Sequence, residues 1–409
     1  MSMHIRAIVL AGLLVCSVVG AAAAPAATQQ AEGEAYSGTF VQFQTQENAV
    51  SEYAVDGSVV VESVTAQSAS ETDGGLGVDA GAGSSAVIDG SAVQVDSRAD
   101  ARASVAFESG AEMEATDNQR GVVRVTARDG AQVVQANASG DARAEGDKRV
   151  VVSGDDGTQG AFIVVGEGNV TADGDGQVTA SVEEGSQLVY RQYNGERTEE
   201  DETQERLIQN GTATAEVYVH GAAESGSDAE GQATSVVEYG QDTTVEVQER
   251  SESQVNMTVE RTESQGTVLI TTVSESAVQN AETLEAYVDG EAAAQADSYS
   301  EVRAATQDGD RSRYLVRQDS SAEASTDVVV GVNHFSERRV SLQSAGDGGE
   351  TTATEDDSMD DDGEMTATED SSTGDDDGGD GSDGDGAGFG VVAALVALAA
   401  ALLAVRSRP

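Results

Sequence analysis

Lysine is almost missing from this chain: Lys148 is the only one, and 22 Lys plus Arg stand against 74 Asp plus Glu. A basic footprint for phosphate contacts is therefore absent, which excludes nucleic acid as a partner. Cysteine is reduced to Cys16, inside an N-terminal apolar run, so the rest of the chain offers neither a disulfide nor a thiolate metal site. Proline occurs only at positions 25 and 409, which leaves the turns to glycine. Tryptophan is absent and aromatics make up 4%, so a core must be built from valine and alanine. Outside the first 27 residues only two histidines remain, His220 and His334, both read as surface residues at a strand's polar face or end. No phosphate loop, nucleophile elbow or His-Glu-x-x-His motif occurs. Carboxylate pairs abound, but a sugar cleft is usually lined with aromatics. The chain is accordingly expected not to be an enzyme, and to carry no cofactor, metal or catalytic residue.

What is present is acidity, with a formal charge of -52. Such charge fits either a disordered polyelectrolyte or a fold held in brine, where the Debye length falls to about 3 Å at 1 M salt. Apolar content of 38%, rich in valine at alternating positions, favours the folded state.

The two ends differ from the body. Residues 1–27 carry an early His4 and Arg6, an apolar run and then small residues, the pattern of a secretory signal. Residues 347–387 form an acidic Thr/Asp/Gly-rich tether, with 17 acidic residues and no basic one between positions 347 and 385. That composition predicts a disordered, extended stalk holding diffuse cations. From Gly388 an uncharged stretch of 18 residues reaches Val405, followed by Arg406 and Arg408. It is long enough to span a bilayer, with the C-terminus on the cytoplasmic side, and 388–409 is read as a transmembrane sorting or anchor segment.

Ala387, Gly388 and Phe389, set between that tether and the apolar helix with its terminal arginines, resemble the PGF-CTERM sorting signal of haloarchaeal surface glycoproteins. Arginine in place of lysine and carboxylates in every segment are also similar to haloarchaeal proteins. The resemblance implies export, processing by an archaeosortase and a lipid in place of the helix. The family has proline where this chain has Ala387, so retention of the helix stays open beside processing. Both outcomes anchor the protein at the cell surface.

The body, 28–346, reads as all-β. Asp56-Gly57, Asp129-Gly130, Asp173-Gly174 and Asp289-Gly290 separate alternating runs, as tight turns do. Along 213–220, Ala213, Ala215, Val217 and Val219 face one way, while Thr214, Glu216, Tyr218 and His220 face solvent. Val123–Ala127 and 133–134 read as one hairpin, 281–288 and 292–296 as short helical pieces, and 196–206 as a solvated charged loop. An elongated irregular β-solenoid and stacked antiparallel sheets are the two architectures these elements allow. Four sequons, at Asn137, Asn169, Asn210 and Asn256, are glycosylation candidates in an exported chain, with Asn210 beside Gly211 the best placed. Two functions follow as expectations: a structural or interaction protein of the envelope, S-layer-associated or adhesion-like and in contact with other envelope proteins, or a tethered solute- or cation-binding module.

Overall fold

The computed structural model describes residues 34–344, apart from 73–92, 221–233, 319–324 and the single positions 100, 156, 194, 252, 279, 308 and 336. The signal, the stalk, the anchor segment and the motif at Ala387, Gly388 and Phe389 lie outside the described residues. Among the described residues no helix is long and apolar enough to cross a membrane.

Among the described residues twenty-six strands form four sheets, which we label A to D. Sheet A runs Ala35–Ser37, Val41–Thr45, Val50–Val55, Ser58–Ser68, Gln132–Ala138, Gln177–Val182, Gly168–Ala172 from edge to edge. Sheet B runs Asp141–Ala144, Arg149–Ser153, Gln159–Val165, Gln187–Tyr193, Val123–Ala127, Ala111–Thr116, Arg102–Phe107, Val93–Ala99. Sheet C is Thr234–Glu238, Ala213–Val219, Gln265–Ser274, Ser325–His334, Arg313–Gln318, Ala294–Gln295, and sheet D is Thr243–Arg250, Gln254–Arg261, Glu337–Ser344, Leu284–Val288, Glu291–Ala292. Pairing is antiparallel except where Ala213–Val219 meets Gln265–Ser274 and where Ala294–Gln295 meets Arg313–Gln318.

Three cores define the layering. One joins inward residues of A and B, such as Val134, Val178, Val105 and Met113. A second joins C and D through Leu269, Val330, Met257 and Leu342. The third joins the other faces of B and C, through Ile163, Val189, Ile270 and Val329. The order is thus A, B, C, D: two sandwiches packed back to back. Stacked sheets, not a solenoid, are the architecture, and the scarcity of aromatics is met by valine and alanine throughout the cores.

Among the described residues three short α-helices occupy the connections: α1 (Ala69–Thr72), α2 (Glu199–Gln209) and α3 (Tyr299–Ala305). The chain leaves the first sandwich after Tyr193 and enters the second at Ala213, with α2 between them. Gly331 lets α3 approach sheet C, since a Cβ there would fall 2.3 Å from the Val302 carbonyl oxygen. Asp56-Gly57 and Asp289-Gly290 close two-residue hairpins, with all four residues at positive φ, the geometry of a type I′ turn.

Several local expectations fail for one reason, the presence of a partner layer that the local pattern does not reveal. Val123–Ala127 belongs to sheet B and Gln132–Ala138 to sheet A, so the Asp129-Gly130 turn crosses between sheets instead of closing a hairpin. The helical reading of 281–288 gives way to a 3-10 turn, Ala281–Thr283, and the strand Leu284–Val288; Ala294–Gln295 is a short strand as well. Ala213–Val219 is buried on both faces, with Thr214, Glu216 and Tyr218 each at 2% exposure or less, and His220 is buried too. The polar face of that strand does not meet water. It meets sheet B.

Candidate functional site

A charged seam lies between sheets B and C. α2 begins where the sequence places a capping box: the Asp201 N–H donates to Thr198 Oγ1, and the Thr198 N–H donates to the Asp201 carboxylate. Four acidic residues in the first turn suit the positive end of the helix. Leu207 and Ile208 then turn into the third core while Gln204 and Glu205 face the network. The run read as a solvated loop is therefore a helix that plugs the junction. Thr198-x-x-Asp201 ahead of an apolar pair was the signal that could have identified it.

Arg191, fully buried, pairs with Glu216 at 3.0 Å and donates to Gln204 Oε1 at 2.7 Å. Arg120 reaches Asp201 at 3.1 Å and Asp327 at 3.5 Å. Asp327 also accepts from Gln204 and from Thr272, both at 2.7 Å. Both guanidiniums stand 5.7 Å from the Tyr193 ring centroid. At the rim, Arg149 and Arg197 converge on the buried Glu205 at 2.7 and 2.6 Å, and Arg197 also pairs with Glu145 and Glu202. Burial opposes the charge on Asp201, but Arg120, Arg191 and the Thr198 hydrogen bonds outweigh it and hold the carboxyl below its ordinary pKa. Burial first, and then nearby acids, push the hydroxyls of Tyr193 and Tyr218 well up, so both stay neutral. Charges removed from water at this cost are tolerated only when paired. The arrangement fixes one sandwich on the other.

A cleft of about 340 Å³ opens at the end of the first sandwich. Val60, Val152 and Tyr190 are its buried apolar lining, and Gly160 leaves room for the Tyr190 ring, whose hydroxyl would lie 2.6 Å from a Cβ there. Glu62 and Asp155 supply two carboxylates, and among the described residues none that lines the cleft is basic. Val59, on the same cleft, is the one exposed large hydrophobic among the described residues. Among those residues no group of three or more His, Cys, Asp or Glu is arranged to hold a metal ion.

The sequons fall in unlike places. Asn210 is exposed at the C-cap of α2. Asn137 lies within sheet A and donates to Glu62 at 2.6 Å, and Asn256 lies within sheet D and accepts from Gln254 at 2.8 Å. Asn169 is on the edge strand of sheet A. His334 ends a strand of sheet C in an exposed position, as expected. His220 does not: its ring lies 5.0 Å from Phe40 and 6.3 Å from Tyr218, joining the two sandwiches.

No protein-family model matches the chain, and no curated protein matches it either. Among solved structures, a mutant of a family 81 glycoside hydrolase from Clostridium thermocellum is similar, with a TM-score of 0.38 and 10% identity, over 77% of this chain and 36% of that one. The chain thus spans about a third of the protein it matches. The expectation that the chain is not an enzyme is withdrawn beside this match to a glycoside hydrolase. At this level the likeness carries no argument for an activity or a substrate.

Proposed function

We propose that the chain is a structural or interaction protein of a haloarchaeal cell envelope, exported by its first 27 residues and held at the membrane by its C-terminal segment. The observation that carries this reading is the seam. It makes one compact unit of two sandwiches, and a rigid body on an acidic stalk suits a role of standing off a surface and making contacts. The acidity supports a high-salt setting, in which repulsion between carboxylates is screened. The motif at Ala387, Gly388 and Phe389 supports anchoring through archaeosortase processing or a retained helix.

The test is intact-mass and glycopeptide spectrometry of the membrane fraction from a haloarchaeal host. A product ending near Gly388 with lipid attached, and a sugar on Asn210, is the expected result. Release of unlipidated protein into the medium refutes anchoring.

The cleft favours a second reading, a tethered module for a small solute. Its carboxylates and lack of basic lining suit a neutral or cationic ligand and disfavour an anion. Titration with arginine and with glucose, followed by chemical shifts of cleft residues, tests it. Absence of shifts with either ends that reading.

A further inference from the structure

An edge strand leaves one row of backbone groups unpaired, and an unpaired row is a template for another strand. In the first sandwich the edge strand Gly168–Ala172 is covered by main chain, where the Val170 N–H donates to the Asp147 carbonyl at 2.8 Å. The edge of sheet C is covered differently. Among the described residues Thr234–Glu238 has one neighbour in its sheet, Ala213–Val219. The carbonyls of Val236 and Glu238 accept instead from side chains of sheet B, Val236 from Arg102 Nη2 at 2.8 Å and Glu238 from Arg124 Nη1. Glu114 stands directly across from Arg124 in the register and diagonal to Arg102, and it pairs with both guanidiniums, with that of Arg102 at 3.5 Å. The Glu238 carboxylate in turn accepts from the N–H of Val245, on the edge strand of sheet D, at 2.8 Å. On two neighbouring edges, side chains thus take places that a further strand would take.

We infer that Arg102 and Arg124, held by Glu114, guard the edge of sheet C against strand addition by a second copy of this chain. A residue in an antiparallel pair turns both of its backbone groups to one side, so the N–H groups of Val236 and Glu238 point outward with the carbonyls that the arginines take. That row of alternating donors and acceptors is complementary to itself across a two-fold axis, which makes the same strand of another copy the one best matched to it. Val236 and Glu238 are two residues apart, about 6.8 Å along the strand. The two guanidiniums therefore stand where two successive N–H groups of an added strand would donate. Arginine suits this task because its charge is permanent and its planar fork can hold a carboxylate and a carbonyl together. A guanidinium cannot be covered by an incoming strand without losing water. In the high-salt setting proposed above, screening removes the repulsion that would otherwise keep copies of so acidic a chain apart. The edge then needs a cover that does not depend on net charge.

Sedimentation equilibrium of the full chain, in molar salt and detergent, tests it. Arg102→Met, Arg124→Met and Glu114→Gln together remove the guard and leave none of its three charges stranded. This triple variant should self-associate at a concentration at least tenfold below the parent, with slower amide exchange at Val236 and Glu238 in the associated form. Adding Val236→Pro, which removes an outward donor and no bond of the sheet, should restore the parent's behaviour. Arg128→Met is the control, because Arg128 pairs with Glu112 on the same sheet. Arg102→Met alone, at a side chain that is 38% exposed, covers the case in which the triple variant fails to fold, and should show the same association in weaker form. Circular dichroism identifies the folded variants. Sedimentation of every folded guard variant like the parent overturns the inference, as does equal association of Arg128→Met or association that survives Val236→Pro.

Discussion

Met113 and Arg191 are both fully buried, one inside the first sandwich and the other between the two sandwiches. The sandwich interior is apolar side chain against apolar side chain, and its geometry can adjust. In the seam, Arg191 must find Glu216 and Arg120 must find Asp201 and Asp327. Apolar burial supplies cohesion without direction, whereas paired charges accept only one docking. The chain uses the first to make each sandwich and the second to orient them.

The largest effect should come from breaking a buried pair. Arg191→Ala removes the buried guanidinium that pairs with Glu216 and Gln204 and should cost about 3 to 5 kcal/mol in a denaturant melt. The double variant Arg191→Met, Glu216→Leu sharpens the comparison, because it removes both charges; its stability should lie near or above that of the parent, with a looser seam visible as faster amide exchange in α2. If the double variant is as unstable as Arg191→Ala, the ion pair is stabilising beyond its own desolvation.

Neighbouring residues of one strand provide the next test. Leu269 faces the second sandwich core and Ile270 faces the seam. Each truncation to alanine should cost about 2 to 5 kcal/mol, but only Ile270→Ala should lower protection in α2. Acid should act on the seam before the sandwich interiors. Since the folded pKa of Asp201 lies below its ordinary value, its contribution is complete above about pH 4 and is lost as pH falls through the folded value. The stability gap between the parent and Asp201→Asn should therefore shrink as pH drops from 5 toward 2, roughly over those values. The smallest effect is at the helix start, where Thr198→Ala should cost about 1 kcal/mol through loss of the capping box.

Much of each sandwich was legible locally. Alternation at 255–259 and 340–342 gives strands with one wet face, because sheet D has solvent on its outer side. The same alternation at Ala213–Val219 misleads: Thr214, Glu216 and Tyr218 are polar because they meet Arg191 and its neighbours, not water. α2 was hidden in the same way, since its charges are partners for Arg120, Arg149 and Arg197. The cleft residues, drawn from positions between 58 and 190, share no motif that a linear reading could join.

The sequence by itself determined the all-β class, the valine and alanine cores and the hairpin turns at Asp56-Gly57 and Asp289-Gly290, because side-chain alternation and positive φ are properties of a few consecutive residues. Which polar face meets water and which meets a second sandwich was decided only in the folded chain. A carboxylate such as Glu216 looks alike in sequence beside solvent or beside a buried guanidinium, and the distinction is made by residues 25 or more positions away, such as Arg191.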